Sequence, residues 1–184
     1  MLPAAPSGGL LLYRYAAAAR HEAVALPSCV LARRYDVVDA EPNALTWYET
    51  AEFKTAEELA QHPPPVPSAE TMAFRLMCDV GEKGAAAPPW LYVVHTDVPD
   101  DIVDEYNAWY DQEHLPRLVR VPGIVRARRY ASPTSHPRYL TTYELEERDS
   151  FSSPSALQAR KTPWTERMRS LFTNTRRFMG HLIT

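Results

Sequence analysis

The chain has 184 residues, of which 45% are hydrophobic and 23% are charged, a composition typical of a soluble globular protein. Its net charge of −3 and its lack of a dominant basic tract argue against nucleic acid or an anionic membrane as a partner. No apolar run reaches the roughly 18–20 residues that span a bilayer, and the N-terminus does not resemble a signal peptide. The two cysteines fit neither a disulfide framework nor a zinc motif. We therefore expect a cytoplasmic protein.

The first half of the chain predicts a unit of short strands with one helix. Residues 1–9 are expected to be a flexible tail. Thr55 and Glu58 fit a capping box and predict a helix over residues 55–61. Between the first two strands, only a short Ala-rich turn is predicted. Residues 81–90, which are rich in Gly, Ala and Pro, are the expected linker to the second half. β-Branched and aromatic residues predict strands at 10–15, 30–38, 44–53 and 72–80.

The second half predicts a longer set of elements. Residues 100–119 have helical spacing, and Pro116 predicts that this helix kinks or breaks just after His114. A second helix is predicted to begin at Thr162, a good N-cap, with Pro163 in its first position. Strands are predicted at 91–96, 124–131, 138–147 and 177–184.

An internal duplication relates the two halves. Residues 27–52 are repeated without a gap at 122–147, and 12 of the 26 aligned positions are identical. Both halves then follow the order strand, helix, strand, strand, helix, strand, which is the ferredoxin-like plan. Each unit is a four-stranded antiparallel sheet that must bury its helix-free face. We expect an α+β fold in which the two sheets cover each other in one barrel-like core. Side-by-side packing of the units is the alternative.

The two copies differ in their first helix. Thirty residues separate Leu91 from Pro122, whereas only 16 separate Leu10 from Pro27. The longer segment is rich in His, Tyr, Trp and carboxylates. We therefore expect residues 10–80 to form a degenerate scaffold unit with a shortened first helix. Residues 91–184 should form the unit that holds a ligand pocket.

Several short motifs in the second unit occur in a recognisable order. Trp109-Tyr110 is followed by His114 and Pro116, and then come Pro122-Gly123 and Arg128-Arg129-Tyr130. Over residues 91–175 this order resembles the EthD-like members of the dimeric α/β-barrel superfamily. The resemblance implies a pocket between sheet and helices. It also implies a cofactor-independent enzyme for cyclic or polyketide-type molecules, or a protein that only binds such a ligand.

Three residues of the long helix are candidates for catalysis. His114, with an ordinary pKa near 6.5, can take and return a proton at neutral pH. Tyr110 lies four residues earlier on the same predicted helix face and can donate to a carbonyl or enolate oxygen. Asp111 could orient the imidazole ring. The structural alternative is that His114 only bonds a free carbonyl at the helix end.

Five further residues are candidates for substrate binding: Tyr106, Asn107, Trp109, His95 and Trp164. An aromatic stripe at helical spacing is also typical of a core, so the aromatic residues could serve either purpose. His95 shares its strand face with Leu91 and Val93, and that face is either the pocket floor or the barrel core.

Two pairs of charged residues recur in both copies and are expected to be structural. Arg34 corresponds to Arg129, and Glu49 corresponds to Glu144. Because both occur in the copy that lacks the long helix, we expect them to form arginine–carboxylate pairs that brace the hairpins.

The sequence thus favours a cofactor-independent lyase or isomerase acting on a cyclic or polyketide-like small molecule. Its chemistry would be cyclisation, dehydration, isomerisation or decarboxylation. We expect no cofactor or metal, and either a monomer or a homodimer. The alternatives are a cofactor-free oxygenase, a non-catalytic ligand-binding module, and a haem protein with His114 or His95 as axial ligand.

Overall fold

The computed structural model describes residues 8–16, 26, 28–41, 44–64, 66, 69–82, 84 and 86–183. The Ala-rich turn predicted between the first two strands and most of the predicted tail lie outside these residues. The described residues form eight strands, each at a predicted position: β1 Gly9–Tyr15, β2 Cys29–Val37, β3 Ala44–Thr50, β4 Glu70–Gly81, β5 Trp90–Asp97, β6 Ile124–Ala131, β7 Tyr139–Leu145 and β8 Thr173–Ile183.

The eight strands form one closed antiparallel barrel in the order β1-β3-β2-β8-β5-β7-β6-β4. Two strand pairs connect the halves of the chain. Tyr35 of β2 lies opposite Leu182 of β8, and Leu76 of β4 lies opposite Tyr130 of β6. The predicted α+β fold of tandem ferredoxin-like units around a common core is therefore confirmed. Side-by-side packing is excluded, because the backbone hydrogen bonds continue from one sheet into the other.

The internal duplication extends to the details of the backbone. In β2–β3, Leu31 lies opposite Glu49, and in β6–β7 the equivalent Arg126 lies opposite Glu144. Each hairpin also has a register shift immediately before this position. Such shifts re-aim the side chains that follow them. The two copies therefore present equivalent residues to the barrel interior.

The barrel interior is filled by alternate residues of the eight strands, as the two-residue period of a strand requires. Two of its large members, Trp47 and Tyr130, come from different halves, and their rings meet edge to face with centroids 5.6 Å apart. The other buried apolar residues of this core are Leu10, Leu12, Tyr35, Val37, Leu45, Met72, Phe74, Leu91, Val93, Leu140 and Phe178.

A charged network inside the barrel connects the two copies. Arg128 donates to Oε1 of Glu49 and to Oε1 of Glu144, at 2.5 Å each, and its guanidinium lies 5.2 Å from the Trp47 ring centroid. Arg33 donates to Oε1 of Glu144 at 3.3 Å. Burial by itself would raise the pKa of Glu49, but Arg128 outweighs it and the pKa is lowered. The carboxylate therefore stays ionised.

The predicted arginine partners of these carboxylates, Arg34 and Arg129, were wrong. In each copy the arginine that bonds the carboxylates is the preceding residue. Neighbouring residues of a strand point to opposite faces. Arg128 shares the interior face with Tyr130, whereas Arg129 faces the helices, where its guanidinium lies 4.6 Å from the Tyr110 ring centroid. The predicted structural role of the Glu49 and Glu144 carboxylates stands, although the arginines that bond them are Arg128 and Arg33.

Several helical segments cover the outside of the barrel. The segments are α1 Phe53–Ala60, a 3₁₀ turn Asp100–Ile102, α2 Val103–Trp109, a π-helical turn Tyr110–His114, α3 Leu115–Leu118, a 3₁₀ turn Arg148–Ser152, α4 Pro154–Ala159 and α5 Pro163–Ser170. Thr162 caps α5 as predicted, accepting from the Thr165 N–H at 3.0 Å. The predicted capping box of Thr55 and Glu58 is wrong, because α1 already begins at Phe53. No helix of the described residues is long and apolar enough to cross a membrane.

The irregularity predicted just after His114, a kink or a break, is a π-helical turn that ends at His114, and the helix does not break there. The helix continues to Leu118, and the Leu115 N–H bonds the carbonyl of Tyr110, five residues earlier. A proline in a regular α-helix clashes with the carbonyl four residues before it. The wider π turn relieves this clash and accommodates Pro116. His114 is therefore within a continuous helix and does not bond a free carbonyl at a helix end.

We predict that the Arg128→Gln variant loses about 3–5 kcal/mol of unfolding free energy, because it leaves the buried Glu144 and the partly buried Glu49 carboxylates without their main partner. The matched control is Arg167→Gln, which breaks an ion pair with Glu105 on the surface. That change should cost much less, because solvent screens an ion pair on the surface. Urea denaturation of both variants measures the difference. Equal losses would show that the network does not hold the two copies together.

Candidate active site

A cavity of about 240 Å³ lies between the barrel and the helix that contains α2 and the π turn. Its barrel side is formed by Tyr92 and Val94 of β5, together with Tyr143 of β7. These residues alternate with Leu91 and Val93, which point into the barrel core. On the opposite side lie Trp109, Tyr110 and His114, with Phe151 and Phe172 from later segments. The volume suits a compact ligand, since pockets for drug-sized molecules measure roughly 300–1,000 Å³.

His114 is held in place by aromatic rings on several sides. Its ring lies against Trp109 with centroids 4.2 Å apart and meets the edge of Tyr110 at 5.2 Å. Its Nε2 is 3.1 Å from the hydroxyl oxygen of Tyr143. The second ring nitrogen has no hydrogen-bond partner among the described residues. The imidazole is therefore fixed in orientation, with one nitrogen still available.

The π turn brings these groups together. Hydrogen bonds in a π-helix connect residues five apart, so residues with that spacing lie on one face. Trp109 and His114 are five apart, and both line the cavity. The indole N–H of Trp109 donates to the hydroxyl of Thr165 in α5 at 3.2 Å, which fixes the second ring of the pair. The geometry of the cavity wall thus depends on this irregular turn.

The expectation of an ordinary pKa near 6.5 for His114 was wrong. Burial lowers the pKa to about 3, with further lowering from Arg160 and Arg169. Burial raises the pKa of Tyr143 well above 10. At neutral pH the two side chains therefore form a neutral imidazole–phenol pair.

Three arginines, which the sequence did not single out, also line the cavity: Arg160, Arg169 and Arg177. Arg160 is half-buried. Its Nε donates to the carbonyl of Ala156 at 3.1 Å and its Nη2 to that of Phe151 at 2.8 Å. Arg169 and Arg177 are exposed. The only sequence signal for Arg177 was its position beside Phe178, since alternation places it on the outer face of the last strand.

Tyr106, Asn107 and Asp111 lie beside Arg129 and do not line the cavity. Arg129 is buried, donates to the Asn107 side-chain oxygen and lies 4.7 Å from the Tyr106 ring centroid. Asp111 is 3.8 Å from Arg129 and is 54% exposed. The expectation that Asp111 orients His114 was therefore wrong, because its carboxylate pairs with Arg129 and the ring is bonded by Tyr143.

His95 and Trp164 also lie outside the cavity. His95 points into the barrel, where its Nε2 is 2.5 Å from the carbonyl oxygen of Pro137 and its ring meets Phe74 at 5.5 Å. Burial lowers its pKa to about 4. Trp164 packs half-buried against the core beneath α5. Of the eight candidate site residues, the cavity therefore contains His114, Tyr110 and Trp109.

The arrangement does not fit a haem or a metal site. A porphyrin is larger than the cavity, and Nε2 of His95 is already bonded to the carbonyl oxygen of Pro137 inside the barrel. Among the residues that the structure describes, no group of three His, Cys, Asp or Glu side chains could hold a metal ion. The groups available for chemistry at this site are imidazole, phenol and guanidinium.

The low pKa values of His114 and His95 predict acid destabilisation. The unfolded chain takes up these protons near pH 6.5, whereas the folded histidines resist them, so stability falls as the pH drops below 6.5. Between pH 8 and pH 5 each histidine should contribute a loss of about 2 kcal/mol. Denaturation of His114→Gln at both pH values should show a smaller loss. The exposed His62→Gln control should behave as the unchanged protein, and an equal pH dependence in all three would contradict the assignment.

No protein-family model matches the chain, and no curated protein matches it. Solved structures do. An anthrone oxidase-like protein is 11% identical, with a TM-score of 0.63 and coverage of 97% of this chain and 92% of that one. A monooxygenase-like protein from Listeria innocua is 11% identical, with a TM-score of 0.62 and coverage of 97% and 95%.

A chlorite dismutase variant from Candidatus Nitrospira defluvii is 12% identical, with a TM-score of 0.63 and coverage of 100% and 93%. All three likenesses extend over nearly the whole chain. At such low identity they show the fold alone, and none of them indicates the EthD-like group in particular. The chain has the dimeric α/β-barrel architecture, with both ferredoxin-like units in one polypeptide.

Proposed function

We propose that this protein is a cofactor-independent enzyme that moves a proton on a cyclic or polyketide-like small molecule bound beside His114. The observation that carries the proposal is the neutral His114–Tyr143 pair at the wall of a cavity lined by aromatic rings. The EthD-like motif order supports it, because Trp109, Tyr110 and His114 of that motif all contact the same cavity.

The proton transfer uses one particular tautomer of His114. When Nε2–H donates to the Tyr143 oxygen, Nδ1 carries the lone pair. A C–H proton next to a substrate carbonyl moves to Nδ1, and the electrons of that bond form an enolate. The resulting imidazolium keeps its bond to Tyr143 and forms an ion pair with the enolate, whose negative charge offsets the burial that lowers the His114 pKa. The negative charge on the enolate oxygen is also stabilised by the nearby guanidinium groups and the Tyr110 hydroxyl. Return of the proton to another atom completes an isomerisation. In a dehydration, the enolate electrons expel a hydroxyl group on the neighbouring carbon, and this group takes the proton from Nδ1 and leaves as water.

An oxygenase is the second candidate function. Two of the similar structures are described as anthrone oxidase-like and monooxygenase-like. An enolate formed by the same proton transfer could react with dioxygen in the same cavity. The two functions share their first step and differ in whether oxygen is consumed.

The closed barrel supports a monomer acting on a small molecule. Two single-unit chains would have to dimerise to bury their sheet faces. In this chain both sheet faces are already covered, because the two halves close one barrel.

Anthrone is a suitable test substrate, because it has acidic C–H protons next to an aromatic ketone system. We expect the protein to accelerate deuterium incorporation into anthrone under nitrogen, measured by NMR. His114→Gln should lower this acceleration by about 10²–10⁴-fold, as loss of a general base does. An oxygen electrode then shows whether air converts the exchange into oxygen consumption.

The control is His62→Gln, which changes an exposed histidine on the other half of the chain. It should retain full activity. Equal exchange rates for His114→Gln and the unchanged protein would reject His114 as the base. Anthrone that binds and is released without exchange would favour the ligand-binding module over an enzyme.

A further inference from the structure

Three arginine side chains give the mouth of the cavity a positive charge, although the net charge of the protein is −3. Arg160, Arg169 and Arg177 come from three different segments of the chain and line the same space. We propose that this cavity selects an organic anion, a compact aromatic or cyclic molecule whose carboxylate lies among the three guanidinium groups. The inference rests on the proposed function in that it assigns a substrate class to the same site.

The three arginines lack the partners that other arginines of the chain have. Arg126, Arg128 and Arg167, for example, each pair with a carboxylate. Within the described part of the chain, no carboxylate forms an ion pair with any of the three at the mouth. Carboxylates are the preferred partners of guanidinium groups, because the planar donors match both oxygens. An incoming carboxylate would therefore meet donors that do not have to break an existing ion pair.

Arg160 is already oriented for such a contact. Its Nε and Nη2 are occupied by the carbonyls of Ala156 and Phe151, and its guanidinium lies 4.2 Å from the Phe151 ring centroid. These contacts hold the side chain, while Nη1 has no hydrogen-bond partner among the described residues. A held guanidinium with one unused nitrogen loses little conformational freedom when it binds an anion. Arg169 and Arg177 can then close on the same group from the solvent side.

The wall behind the arginines fits a flat ring. Tyr92, Trp109, Phe151 and Phe172 contribute aromatic faces or edges to the cavity. Such surfaces pack well against planar molecules. The cavity therefore has an aromatic interior and a cationic mouth, a polarity that matches a ring carrying one acidic group.

The electrostatic effect of the mouth reaches the interior. Burial is the main cause of the raised pKa of Tyr92, but Arg177, Arg160 and Arg169 all act in the opposite direction. Arg160 and Arg169 also add to the lowering of the His114 pKa that burial causes. Both effects indicate a positive potential throughout the cavity, which favours an anionic ligand over a neutral one.

The test compares 2-naphthoate with 2-naphthamide, which have nearly the same shape but differ in charge. Binding to the full chain is measured by titration calorimetry at low salt. We expect the naphthoate to bind at least about tenfold more tightly, as charge-assisted hydrogen bonds allow. The preference should decrease at higher salt, because the mouth is exposed to solvent.

Variants localise the effect. Arg169→Gln combined with Arg177→Gln should reduce naphthoate affinity by about three- to tenfold and leave naphthamide affinity unchanged. The control Arg120→Gln changes an exposed arginine outside the cavity and should alter neither. Circular dichroism confirms that the variants are folded.

Equal affinities for the two probes, including no binding of either, would overturn the inference. So would a naphthoate preference that is as large in the double variant as in the unchanged protein. The proposed function fails differently, through unchanged anthrone exchange in the His114 variant, so the two results can be distinguished. A naphthoate preference combined with an inactive site would leave a protein that binds organic anions without converting them.

Discussion

The buried network of Arg33, Arg128, Glu49 and Glu144 is the interaction on which the rest of the structure depends. It places arginines and carboxylates from both copies in one barrel interior, so each half supplies ion-pair partners for charged groups of the other. Ions buried in this way are favourable only when their partners are in place. The network therefore favours the closed barrel over separated sheets. Closure in turn fixes the outer faces of β5 and β7, on which the cavity is built.

In the duplicated chain both halves build the barrel core, whereas the cavity is lined by residues of the second half. Identical subunits would each have to do both. The interior is nearly symmetric, with equivalent hairpins and equivalent register shifts. The exterior is not symmetric, because among the residues that the structure describes only the second half carries a long helix with a π turn. That turn places Trp109 and His114 on one face and accommodates Pro116. An irregular helical turn of this kind is frequent at functional sites, where it positions side chains that a regular helix would separate.

The sequence predicted the fold more completely than the site, for physical reasons. The repeat and the strand composition were sufficient for eight strands and a shared core. The prediction of the site was wrong in part because Asp111 was assigned to the His114 face by regular helical spacing, whereas the π turn changes which residues share a face. The arginine pairs were misassigned because Arg128 and Arg129 are adjacent, and an Arg-Arg sequence does not show which member faces inward.

The cationic mouth could not be found by local patterns, because Arg160, Arg169 and Arg177 lie on three segments that only folding brings together. His114, Tyr110 and Trp109 were found because all three lie within six consecutive residues of one motif.

The account depends most directly on the state of the His114 ring. Nitrogen-15 NMR of histidine-labelled protein at pH 7 reports the charge and the tautomer of each imidazole. We predict a neutral ring with the proton on Nε2 and an unprotonated Nδ1 whose resonance shifts when 2-naphthoate is added. A protonated ring, or a neutral ring with its proton on Nδ1, would contradict the account, because Nδ1 could not then accept a proton from a substrate.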